Sequence, residues 1–221
     1  MTTSPGAVFE DREDAAGQLA ELLSASAMPN PVVLGLPRGG VPVAAVIARR
    51  LRAPLDVLVV RKLGVPWQPE VAMGAIGEGG IRVLDDRLVR ALRIRASDVA
   101  AVEERERAVL EARVRMLRRG RALRRLDGRT ALIVDDGIAT GATAQAACLV
   151  ARALGASTVV VAAPVGAPDA ASRIVAADSV VCVRQPAGFV AVGQYYRRFD
   201  EVADEEVSAA LAGGAAAGSD A

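Results

Sequence analysis

The sequence predicts an α/β protein built on a twisted parallel sheet with helices on both faces. Three observations carry that expectation. Short β-branched and apolar runs recur between Val32 and Val183. Stretches with helical periodicity separate them, and the runs are apolar throughout rather than alternating, as strands buried on both faces must be. The 221 residues suit one domain with a small appendage, and 52% hydrophobic against 24% charged residues supplies a core.

In chain order, an amphipathic helix is expected from about Arg12 to Leu23. Val32 to Leu36 forms a buried strand, Pro37-Arg38-Gly39-Gly40 a turn, and Pro42 to Leu51 a helix. The next strand covers Leu55 to Val60. An excursion of about 70 residues separates it from the strand Ala131–Val134 and contains a long inserted arm (about 67–127). Its first part, Glu70 to Leu84, is rich in glycine and β-branched residues and predicts a hairpin or a mobile loop. Its second part predicts a long helix from Ser97 to Arg119. Ser97 is the expected N-cap, Glu103, Glu104 and Glu106 lie in the first half, and Arg113, Arg115, Arg118 and Arg119 lie toward the end, which complements the helix dipole. The run continues through Arg121, Arg124 and Arg125, and a solvated helix end accounts for it more simply than an RNA contact does. After Val134 come a glycine-rich turn, a helix to about Leu154, strands Thr158–Ala163 and Ser179–Val183 with a short helix between them, and an Ala/Gly/Ser-rich tail expected to be disordered (212–221).

Composition excludes several chemistries. There is no histidine, which removes Ser-His-Asp triads, Cys-His nucleophiles and histidine general bases. Cys148 and Cys182 are too few for a disulfide framework and sit in apolar runs, as reduced core thiols do. No apolar run approaches the roughly 18 residues that span a bilayer, and acids Glu10, Asp11, Glu13 and Asp14 stand where a signal peptide would be basic, so a cytoplasmic protein is expected. A net charge of +1 gives no drive toward nucleic acid or anionic membrane. Four of the six aromatic residues (Phe189, Tyr195, Tyr196, Phe199) crowd into one segment, unlike a base-stacking platform spread over a sheet.

The strongest local signal is Leu132-Ile133-Val134-Asp135-Asp136-Gly137-Ile138-Ala139-Thr140-Gly141-Ala142-Thr143. A buried strand ends in two adjacent carboxylates, and a loop of small residues then opens a helix. Small side chains let backbone N–H groups approach a phosphate, the helix N-terminus adds its dipole, and Thr140 and Thr143 offer hydroxyls. Asp135 and Asp136 suit vicinal hydroxyls, or a Mg2+ ion that shares them. A ribose 5-phosphate carries both groups. The Gly-Lys-Ser/Thr ending of a nucleotide P-loop is absent.

Val134 to Thr143 resembles the phosphoribosyl pyrophosphate (PRPP) motif of the type I phosphoribosyltransferases, and the wider resemblance spans about Val32 to Val183. Gly35-Leu36-Pro37-Arg38-Gly39-Gly40, Arg61-Lys62-Leu63-Gly64 and a Gly-x-x-Tyr-x-x-Phe pattern from Gly193 to Phe199 are similar to a bacterial subgroup of that family. The resemblance implies a core (about 30–185) under a small hood made by both chain ends (about 1–29 and 186–211), one domain over 1–211. It also implies a PRPP-dependent, Mg2+-requiring transferase with a nitrogen acceptor, and a homodimer without nucleic-acid or membrane partners. Residue by residue, it implies that Gly137, Ile138, Ala139, Thr140, Gly141, Ala142 and Thr143 hold the 5-phosphate. Asp135 and Asp136 would hold the ribose and the metal, and Arg38, Gly39, Gly40 and Lys62 would meet the pyrophosphate. Lys62 is the one lysine among 27 basic residues, which agrees with a special role. Without the resemblance Pro37–Gly40 is simply a tight turn.

The resemblance further implies a cis peptide, expected at Arg38-Gly39, and a flexible catalytic loop around Gly74 to Ile81 with Glu78 as its polar residue. Leu84-Asp85-Asp86 lacks a phosphate loop after it and is expected only to start a helix. One of the four clustered rings would face the base. Ala139 stands where the 6-oxopurine branch has an aspartate, which argues against hypoxanthine or guanine as acceptor. Two other readings share the phosphate loop: a PRPP-sensing regulator without turnover, and a scaffold for a different sugar phosphate.

Overall fold

The computed structural model describes residues 8–215. Its centre is a five-stranded, wholly parallel sheet: β1 (Pro31–Gly35), β2 (Leu55–Val57), β6 (Thr130–Val134), β7 (Thr158–Val165) and β8 (Ser179–Arg184), in the order β2-β1-β6-β7-β8. The pleat sends alternate residues into two separate apolar cores. Val33, Leu132, Val134, Val160 and Ala162 join one core with α1 (Arg12–Ser24), α2 (Gly40–Leu51) and α7 (Asp204–Ala215). Val32, Leu34, Ile133, Val159 and Val161 join the other with α5 (Ala142–Ala153). The short α6 (Ala170–Arg173) joins β7 to β8.

Connections from β1 run toward β2 through α2 on one face, whereas those from β6 run toward β7 through α5 on the other. The chain directions diverge between β1 and β6, and a crevice opens beyond their carboxyl ends. The turn Pro37–Gly40 and the loop Asp135–Thr143 both leave the sheet there. Leu36 N–H donates to the Val134 carbonyl at 2.8 Å, tying the two exits together.

The long excursion is a second layer. β3 (Val60–Val65), β4 (Gln68–Gly77) and β5 (Arg82–Leu84) form an antiparallel sheet, followed by α3 (Asp86–Ala91) and α4 (Ala96–Arg118). Gly77 fits against Val150 of α5, where a Cβ would collide, so this layer docks directly on the core. The apolar run Leu55–Val60 therefore holds the whole of β2 and the start of β3. Of the two alternatives for Glu70 to Leu84, the hairpin forms. The expected flexible loop at Gly74–Ile81 is instead largely paired strand, because Gly74, Ala75, Ile76 and Gly77 bond to β3 or β5. β3 and β4 are joined by only two residues, Pro66 and Trp67.

Other details also differ from expectation. Helix α4 starts at Ala96 after Arg95, which makes no side-chain cap bond, so Ser97 lies inside the helix; Arg95 pairs with Asp98 instead. Asp85 does cap α3, accepting from the N–H groups of Arg87 and Leu88. Arg118, expected at a solvated helix end, is buried: its guanidinium pairs with Asp56 at 2.9 Å and with Glu78, and donates to the Val57 carbonyl. Glu78 is buried too and accepts from Val59 N–H, which makes it a structural anchor rather than the polar residue of a lid. Helix α7 extends through Ala215, into the segment whose composition suggests disorder. The hood residues 1–7 and the tail residues 216–221 lie outside the described residues. Among the described residues no helix is long and apolar enough to cross a membrane. Both cysteines are free, and burial pushes the Cys148 thiol up to about 12 and Cys182 to about 11, which disfavours the thiolate at both.

Candidate active site

Strand β6 ends in the acid pair. Asp135 N–H continues the sheet by donating to the Ala162 carbonyl, and its own Oδ1 accepts from Asp136 N–H at 2.9 Å. Ile138 then returns to β7, bonding Val165 and Ala167 through its backbone. This pins the middle of the loop and leaves Ala139, Thr140 and Thr143 exposed at its rim. Gly141 has a positive φ of 75° and sits at the N-cap of α5, a conformation that costs a glycine little. Gly141 has no side chain to cap α5, and Ala142 N–H makes only a long bond, 3.4 Å, to Thr140 Oγ1. An anion can replace that long contact and take the N–H groups of the first turn, alongside the Thr140 and Thr143 hydroxyls.

The Pro37–Gly40 turn packs against the acid pair so closely that two of its residues must be glycine. A Cβ on Gly39 would fall inside the Asp136 carboxylate, and one on Gly40 would meet the Val134 carbonyl. The cis peptide in this turn is Pro37-Arg38, one bond earlier than expected. Arg38 is half-buried and its guanidinium pairs with Glu201.

Lys62 belongs to β3, in the antiparallel layer rather than to the parallel sheet. Its ammonium meets the exposed Glu70 at 3.0 Å, a surface pair of small worth that an incoming anion can displace. Lys62, Pro37 and Thr143 line one cavity of about 240 Å3. The structure thus brings together the loop, the acid pair, Gly39, Gly40 and Lys62. It turns Arg38 toward the hood.

The hood contributes residues that no local sequence pattern announces. Arg12, the first residue of α1, contacts Asp136 Oδ2 through both Nε and Nη2 at 2.9 Å, and its guanidinium lies 4.0 Å from the Phe199 ring centre. Tyr196 Oη donates to the Asp136 carbonyl at 2.6 Å. Phe9 bridges to Tyr196, Tyr196 stacks on Phe199, and Phe189 stacks on Tyr195. The four clustered rings therefore pack the hood onto the core. Val192 fills the space beside Gly137, where a Cβ would clash.

Electrostatics follow from this packing. Burial, then the neighbouring Asp136 charge, pushes the Asp135 carboxyl well above the ordinary carboxylate range. Burial also raises Asp136, with Arg12 acting in the opposite direction. Two close carboxylates that are costly to ionise are prepared to receive hydroxyl donors or a cation. Among the described residues no cluster of three or more carboxylate or cysteine ligands could hold a metal by itself. Two carboxylates do fit a Mg2+ ion that arrives with substrate phosphates, since that ion keeps most of its shell from water and phosphate.

Fold and site together define an α/β protein with a crevice at the carboxyl edge of its parallel sheet, walled by an acid pair, a loop of small residues and a glycine-bearing turn. The family model "Phosphoribosyl transferase domain" matches residues 9–197. Two Mycobacterium tuberculosis proteins, each named "Putative phosphoribosyl transferase", are 57% identical over 205 residues, 92% of this chain. The match covers 46% of their length, so the chain spans about half of the curated relatives it matches. The crystal structure of TT1426 from Thermus thermophilus superposes with a TM-score of 0.87 at 47% identity, covering 92% of this chain and 97% of that one. The chain belongs to the phosphoribosyl transferase domain family.

Proposed function

We propose that this chain binds PRPP and transfers its 5-phosphoribosyl group to a nitrogen acceptor, a nucleobase, with Mg2+ and release of pyrophosphate. The observation that carries the reading is the convergence of the acid pair, the glycine-led start of α5 and the Pro37–Gly40 turn in one crevice, with Gly39 against Asp136. In the reaction the C1–O bond to pyrophosphate breaks with its electron pair, and the acceptor nitrogen supplies the pair of the new C1–N bond and then loses a proton. The loop Gly137–Thr143 anchors the 5-phosphate. Asp135 and Asp136 hold the ribose hydroxyls and offset positive charge growing on the ring. Lys62, and Arg38 once it leaves Glu201, face the departing pyrophosphate. Mg2+, held by Asp135 and Asp136, would supply charge neutralisation for the leaving group. No histidine is needed, because positioning and charge do the work.

Calorimetric titration of PRPP with and without Mg2+ tests this, with Thr143→Ala as control. Magnesium-enhanced binding lost in the control is expected; no binding in either condition would withdraw the reading. In steady-state pyrophosphate release, Thr143→Ala should act mainly on KM and Lys62→Ala mainly on kcat, each by about 10-fold or more. Equal effects of both changes on both constants would contradict that division. The reading includes a cytoplasmic homodimer, whose assembly light scattering would measure.

A PRPP-sensing reading without turnover draws on one observation: the segment expected to close over the site is fixed as strand β4. Pyrophosphate release with any base of a screened panel would dismiss it.

A further inference from the structure

Helix α4 carries many arginines, and most of those pointing inward have partners. Arg107 meets Glu103, and Arg118 meets Asp56 and Glu78. Arg113 differs. Its Nε is buried and has no hydrogen-bond partner, and among the described residues no ion pair involves it. A buried donor left without an acceptor is costly enough that a native one calls for an explanation.

The surroundings of Arg113 supply it. Arg113 lines the 240 Å3 cavity that Pro37, Lys62 and Thr143 also line. Arg61 is the remaining charged residue of the wall, the other residues are apolar, and no carboxylate is among them. Arg61 is bound by Glu106, and Lys62 by Glu70. Arg113 is thus the cation at this cavity with no counter-charge, between the turn after β1 and the first turn of α5. Like charges converging on one small space repel unless an anion joins them.

We infer that Arg113 is a binding residue for a phosphoryl group of the ligand. The inference rests on the PRPP reading for the identity of that ligand. It also fits the paired strand found where a mobile loop is expected. The β3–β4 turn has only two residues, and α4 supplies a cation to the cavity from a rigid element through Arg113. A guanidinium suits the task, being weakly hydrated and able to offer two parallel N–H groups to phosphate oxygens. The group it takes belongs either to the pyrophosphate or to the 5-phosphate end.

Separate titrations of inorganic pyrophosphate and of ribose 5-phosphate distinguish the two ends. Arg113→Met should weaken at least one of them by about 10- to 100-fold. The anion affected identifies the end that Arg113 serves, and the salt dependence of its binding should become shallower. Arg113→Lys preserves charge and length without the planar fork and should recover part of the loss, which also covers the case in which Arg113→Met folds poorly. Unchanged affinity for both anions in Arg113→Met, while Thr143→Ala weakens ribose 5-phosphate and Lys62→Ala weakens pyrophosphate, would overturn the inference and leave the PRPP reading intact. A native protein that binds neither anion nor PRPP would overturn both.

Discussion

Replacing Arg118 with methionine is expected to cost about 3–5 kcal/mol of stability, because it strands two buried carboxylates. Asp56 and Glu78 both lose their cation, and the Val57 carbonyl loses a donor. The sites lie on β2, on the segment after β4 and on α4, so the loss falls where the inserted layer meets the parallel sheet. Urea unfolding should show a lower midpoint. Adding Glu78→Gln should restore part of the difference, since one uncompensated charge then disappears. An Arg118→Met protein as stable as the native one would mean that water reaches these carboxylates.

The second large effect has opposite signs for stability and function. Asp135→Asn is expected to stabilise the fold by about 0.5–2 kcal/mol at pH 7, the usual gain from relaxing a strained functional position. The same change should lower kcat/KM by about 100-fold or more. The carboxyl is raised well above 3.8 in the folded protein, so folding favours its protonated form. Its contribution is therefore favourable below pH 3.8 and is lost as pH rises through the folded value. The stability advantage of the asparagine variant should consequently grow from acid toward neutral pH and vanish below about pH 4. PRPP affinity of the native protein should rise over the same window as the acid ionises, whereas that of the variant should not. Thermal melts and calorimetry across pH 4 to 8 check both halves, with pH taken on the scale of ordinary carboxylate titration.

The parts of this molecule legible in its sequence are those written in neighbouring residues. β1 and β6 were legible because buried parallel strands are continuous apolar runs, and the loop Asp135–Thr143 because strand, acids, small residues and helix are contiguous. The run Leu55–Val60 misled because apolar character does not say which sheet a residue joins; Val57 ends in one and Val60 begins another. Glu78 reads as a loop residue because its partner, Arg118, is 40 residues away. Arg12 left no signal for the same reason, since its link to Asp136 spans 124 residues. Arg113 stood in view as one of several arginines near a helix end; only folding shows that it alone faces the cavity beside Thr143 without a partner.

The attachment of Arg12 and Tyr196 to Asp136 has a consequence for how the molecule handles energy. Both ends of the hood terminate on a residue of the crevice, one on its carboxylate and one on its carbonyl. Whatever changes the charge or neighbours of that carboxylate also changes the hold on α1 and on the segment around Tyr196. Such coupling is reciprocal. A ligand that draws on Asp136 must loosen or tighten the hood by the same free energy with which the hood opposes or assists its arrival, so cover and crevice share a single equilibrium.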